Sequence, residues 1–124
     1  MMANAHTINP CLKVLRGKVR EGTEPENPLL IALWLNMENE GENESSLSIV
    51  TRREMYVAQF QLLLDVVVDD LVPGHWRRLC LDHIYQPLSS LKKISDGEHS
   101  EQKIRKLLQE LAVSCRYIEH GLTN

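Results

Sequence analysis

From Thr51 to Val72 the chain has neither glycine nor proline, and Pro73-Gly74 then halts it. Strands in globular proteins usually end within about ten residues, so a stretch this long predicts a helix despite its valines. Its start carries a capping-box pattern, Thr51-Arg52-Arg53-Glu54. In such a box the Thr hydroxyl accepts one free backbone N–H and the Glu carboxylate reaches back to another. At 100° per residue, Tyr56, Phe60, Leu63, Leu64, Val67 and Leu71 share one apolar face. Met55, Leu62 and Val66 form a narrower stripe on the opposite side, with Asp65, Asp69 and Asp70 beside it. A helix apolar on two sides either runs through the middle of a bundle or gives one side to a partner.

The other segments point the same way. Asn9-Pro10 and Asn27-Pro28 are helix-start pairs, with Asn as cap and Pro in a first turn where its missing N–H costs nothing. The first predicts a short helix to Arg20 with Cys11, Leu12, Leu15 and Val19 on one face and Gly22 as its stop, although Gly17 leaves a strand open. The second opens Leu29-Leu30-Ile31-Ala32-Leu33-Trp34-Leu35, apolar all round and so expected to be buried on most sides. Glu38 to Ser46, with Gly41, Asn43 and two serines, reads as a solvated acidic loop, and residues 1–8 as a disordered lead-in. Beyond Pro73-Gly74, Trp76, Cys80, Ile84, Pro87, Leu91 and Ile94 share a face. Pro87 cannot donate to the His83 carbonyl, so a kink or two abutting helices are expected there. The last helix, from Glu98 to His120, has a seam of Ile104, Leu108, Leu111, Cys115 and Ile118, with Gly121 as its cap. The expected fold is all-α, a compact single-domain bundle of four to five helices around a central helix near residues 51–72.

Composition narrows the class of protein. At 124 residues with 43% hydrophobic and 25% charged residues, the chain is of ordinary globular make-up. Neither apolar run, Leu29–Leu35 or Leu62–Val68, approaches the ~20 residues a membrane span needs. Met1 to Asn9 lacks the positive start and apolar block of a secretory signal, and three cysteines are an odd set for disulfides. A cytoplasmic protein with reduced thiols is the expectation, without a membrane partner. The net charge of −3 hides a basic cluster, Lys13, Arg16, Lys18 and Arg20, followed by seven glutamates from Glu21 to Glu44 with no basic residue between them.

Candidate chemistry is sparse. Cys80-x-x-His83 with Cys115 and His120 has spacings that zinc can use, but Cys80 and Cys115 stand at core positions, which favours packing. Asp65, Asp69 and Asp70 resemble half a carboxylate metal site, without the Glu-x-x-His that di-iron bundles add. No phosphate loop, dinucleotide fingerprint or nucleophile elbow is present. The expectation is therefore no enzyme, no cofactor and no metal. The preferred reading is a non-enzymatic interaction module, an adaptor, regulator or chaperone that pairs with itself as a homodimer or with another protein. Its partner-binding residues are Met55, Leu62 and Val66, with Asp65 and Asp69 as rim. The alternative is a DNA-binding transcriptional regulator with a helix-turn-helix-like element between residues 60 and 85, offering Arg77 and Arg78. The acidic balance and the nearby Asp69 and Asp70 make nucleic acid the second choice.

Overall fold

The computed structural model describes residues 10–44 and 48–122, without the side chains of residues 41–44 and 117–122. The described residues form an all-α bundle: α1 (Pro10–Glu21), α2 (Leu29–Glu44), α3 (Ile49–Val67), α4 (Gly74–His83), α5 (Tyr85–Lys93) and α6 (Glu98–Leu122). Helix α3 is the hub, packing against α1, α4 and α5, while α2 packs on α1 and α6 on α5. Ile84, at φ −66° and ψ −22°, keeps helical dihedrals between α4 and α5, so the two make one broken rod. Pro87 falls in the first turn of α5, where its missing N–H breaks no ladder, and the break at Ile84 is the discontinuity it requires.

The central helix sits where its apolar pattern places it, but both ends differ from the expectation. It begins a turn earlier, at Ile49, because Ser48 is the cap: its Oγ accepts the Thr51 backbone N–H at 3.2 Å. Thr51 lies inside the first turn, so the capping box does not form. The helix stops at Val67 rather than Val72. Aspartates at a helix C-terminus oppose its dipole, and a short Asp side chain competes for nearby backbone donors. Asp69 does this, accepting the Leu71 N–H at 2.9 Å. Tyr56, Phe60, Leu63, Leu64 and Val67 are buried as the face predicts, whereas Leu71, beyond the early stop, is 94% exposed.

The acidic loop expected over residues 38–46 is also corrected. Helix α2 continues through Glu44, and residues 45–46, like residues 1–8, lie outside the described residues. Glutamate is a good helix former, and one internal Gly costs only about 1 kcal/mol. The decisive partner is internal: Glu38 is 5% exposed, accepts Gln59 Nε2 at 2.7 Å and pairs with the Arg16 guanidinium. That carboxylate ties α1, α2 and α3 together. The Leu29–Leu35 run is only partly enclosed, with Leu30, Ile31, Trp34 and Leu35 buried and Leu29 and Leu33 facing out.

The first turn of α4 closes the bundle. Trp76 is fully buried and its indole Nε1–H donates to the Val19 carbonyl at 2.9 Å, in the last turn of α1. Next to it, the buried Arg77 donates through Nε to the Val67 carbonyl at 2.9 Å, at the end of α3. Consecutive residues thus satisfy carbonyls that two helix ends leave without intrahelical donors. Gly22 makes the approach feasible. It ends α1 at φ +63°, and a Cβ there would stand 2.9 Å from Val72 Cγ1 and 3.0 Å from Trp76 Cδ1.

Helix α6 runs through Gly121 to Leu122, past the expected cap. Its buried edge is also rotated from the expected seam. Leu111 is buried, Leu107 and Cys115 pack on the core, and Leu108 faces out. The side chain of Ile118 lies outside the described residues.

Candidate functional site

The residues expected to meet a partner are mostly used inside the fold. Val66 is 0% exposed and belongs to the core, so it has no surface to offer a second chain. Leu62 is half-buried against the same core, and Met55 is half-buried as well. Helix α3 has α1, α4 and α5 as neighbours, and the core they form takes Val66 whole and Leu62 in part. Asp69 faces α1, where Arg20 Nη1 donates to its Oδ2 at 2.7 Å. That bond, with the Leu71 amide, holds its carboxyl below the usual carboxylate range. Asp70 lies 3.5 Å from Arg77 Nη2, and Asp65 accepts Gln61 Nε2 at 3.2 Å. These carboxylates answer basic and amide groups of the protein itself.

The zinc-like spacing resolves in a similar way. Cys80 is fully buried and desolvation pushes its thiol up to about 12, the behaviour of an apolar packing residue. His83 Nδ1 lies 2.9 Å from the Leu79 carbonyl one turn earlier, and the side chain of His120 lies outside the described residues. Among the described residues, no three His, Cys, Asp or Glu side chains are grouped to hold a metal ion.

Several of the basic residues that could serve nucleic acid are matched by carboxylates. Arg16 pairs with Glu38, Lys18 with Glu24 at 2.7 Å, Arg20 with Asp69 and Arg53 with Asp96 at 2.6 Å. Arg77, which a recognition helix would present to phosphate, is 7% exposed and holds the end of α3. The α3–α4 turn, expected from sequence to be helix-turn-helix-like, spends its first-turn arginine on internal capping.

A groove that the sequence does not reveal lies between α3, α5 and α6, with a volume of about 450 Å³. It exists because α6 leans on α5 and leaves the outer side of the first half of α3 uncovered. Val57, Ala58, Leu91, Ile104 and Leu107 give it an apolar lining. Arg53, Glu54 and Gln61 border it from α3, and His99, Ser100 and Lys103 from α6. The lining on α3 spans Val50 to Gln61, about 16 Å or three helical turns. The ion pair between Arg53 and Asp96, beside the Ser100 hydroxyl that donates to Asp96 at 3.0 Å, fixes the start of α6 against α3. Arg53 and Ser100 together hold the Asp96 carboxyl below its ordinary range. No pattern within the central helix marks Val57 or Ala58; their meeting with α6 follows from the packing. No helix among the described residues is long and apolar enough to cross a membrane. No known protein family, characterised protein or solved structure matches the chain.

Proposed function

We propose that the protein is a non-enzymatic interaction module that receives an amphipathic helix of a protein partner in the groove between α3, α5 and α6. The observation that carries this reading is the shape and lining of the groove: three turns long, apolar along its floor and bordered by charged side chains. A helix laid into a groove buries one apolar face through side chains spaced three and four apart, and needs a trough of this length. An apolar trough left in water forfeits roughly 25 cal/mol for each Å² that a partner would cover. Val66 serves the core and Leu62 packs against it, so the reading moves the contact from the Met55, Leu62 and Val66 stripe to the outward side of α3 around Val57 and Ala58.

The test is affinity capture from the native source with the wild-type chain and an Ala58→Trp variant. Ala58 is exposed in the groove, so the indole fills the trough without entering the core. A specific protein retained by the wild type and by Leu29→Ser, yet lost by Ala58→Trp, supports the reading. Retention unaffected by Ala58→Trp, with the variant folded, overturns it.

A further inference from the structure

Helix α6 is the longest helix and the one least enclosed. It runs 25 residues, about 37 Å, while α5, the helix it packs on, has nine residues and spans about 13 Å. Ile104, Leu107, Leu111 and Cys115 share one face of it, yet Leu111 alone among its described side chains is buried. Ile104 and Leu107 stay half-covered because the groove lies beneath them. A helix docked by so little apolar surface belongs to the least stable part of a fold, from which moving elements are drawn. We infer that α6 is a gate over the groove, held down at Leu111 and swinging away from α3 and α5 about the link of residues 95–97.

The link is built as a hinge. Asp96 and Gly97 are exposed, and Gly97 stands at φ +154° with nothing within 4 Å of a built Cβ. The Ser95 hydroxyl is enclosed without a hydrogen-bond partner among the described residues, so rotation here that brings water to it offsets part of the cost of opening. Asp96 is the catch. Its Oδ1 meets Arg53 Nη2 at 2.6 Å and accepts the Ser100 hydroxyl at 3.0 Å, so one carboxylate ties α3 to the first turn of α6. With 63% of the Asp96 side chain exposed, the pair is of the weak, salt-sensitive kind.

The size of the groove gives the gate its use. A three-turn helix about 10 Å across and 16 Å long fills roughly 1,200 Å³, against about 450 Å³ in the trough. With α6 docked, the trough seats side chains of an incoming helix rather than the helix itself, and the swing uncovers the outer face of α3 around Val57 and Ala58. The motion belongs to the isolated chain, whatever enters the groove.

Thiol labelling under native conditions, in a Cys11→Ser background, tests the gate. Cys115 lies half-buried on the docked face of α6 and reports the swing, whereas the fully buried Cys80 reports unfolding of the whole bundle. Cys115 should label at least a hundredfold faster than Cys80, with a weaker dependence on urea. Asp96→Asn and Arg53→Gln should each speed Cys115 labelling about twofold to fivefold, the range that one exposed ion pair can hold. Leu111→Ala, which removes the enclosed anchor, should speed it at least tenfold while Cys80 stays protected. Labelling of Cys115 and Cys80 together, with the same urea dependence, would mean that α6 leaves only when the whole fold does, and overturns the gate. A Cys115 rate that neither Asp96→Asn nor Leu111→Ala moves would mean that neither group holds α6 down, and overturns it as well. Both results leave the groove reading to the Ala58→Trp capture experiment.

Discussion

The indole N–H of Trp76 donates to the Val19 carbonyl at 2.9 Å, joining residues 57 positions apart in sequence. The bond is fully enclosed, so water cannot replace either partner. Trp76→Phe keeps most of the apolar volume and orphans the carbonyl, and should destabilise the fold by about 1–3 kcal/mol. Chemical denaturation followed by circular dichroism checks this, with helical content before the transition unchanged.

Two glycines, one inside α1 and one just past its end, should respond in opposite directions. Gly22→Ala forces a side chain into a left-handed backbone at φ +63° and into contact with Val72 and Trp76, at a cost of about 2 kcal/mol or more. Gly17 lies inside α1 with nothing within 4 Å of a built Cβ, so Gly17→Ala should stabilise the protein by roughly 0.5–1 kcal/mol. Thermal midpoints of the two variants, measured side by side, give the signs.

Acid should weaken the fold through its ion pairs. Lys18 and Asn27 hold Glu24 below its ordinary range, as Arg20 holds Asp69 and Arg53 holds Asp96. A carboxyl depressed in the folded state contributes stability fully above its unfolded value, and that contribution disappears as pH falls through the folded value. Stability should therefore be level near neutrality and decline as pH drops below about 4. Asp69→Asn should flatten part of that decline, in denaturation midpoints recorded from pH 7 to pH 3. An unchanged slope would mean that the Arg20 pair is not formed in solution.

The thiols should separate by reactivity. Cys11 is exposed, whereas Cys80 is buried with its thiol pushed up to about 12. The thiolate is the nucleophile, so an alkylating reagent at pH 8 should label Cys11 first and Cys80 only after unfolding. Peptide mass mapping of the labelled protein reads both sites, and early labelling of Cys80 would contradict its enclosure.

Much of the fold was legible from periodicity. The main face of α3, apart from Leu71, and the face of the α4–α5 rod were legible from spacing, because the residues of each meet the core together. What escaped were features decided by contacts between distant residues. Ser48 rather than Thr51 caps α3, since either hydroxyl suits a cap and the chain path chooses between them. Glu38 looked like solvated surface, yet Arg16 and Gln59 draw it inward. The second stripe of α3 looked like surplus because the sequence does not state how many neighbours surround that helix; Val66 faces the core. The groove follows from where α6 docks, and its lining residues occupy positions that appear unremarkable one helix at a time.

A photo-reactive amino acid placed in the groove tests the central claim most directly. Installed at Ala58, it should form a cross-link to a single protein partner, mapped by mass spectrometry to an amphipathic helical segment of that partner. The same residue at Leu33, exposed on α2 and away from the groove lining, should give no such adduct. The partner cross-linked from Leu33 and not from Ala58, with both variants folded, would contradict the assignment of the groove as the contact surface.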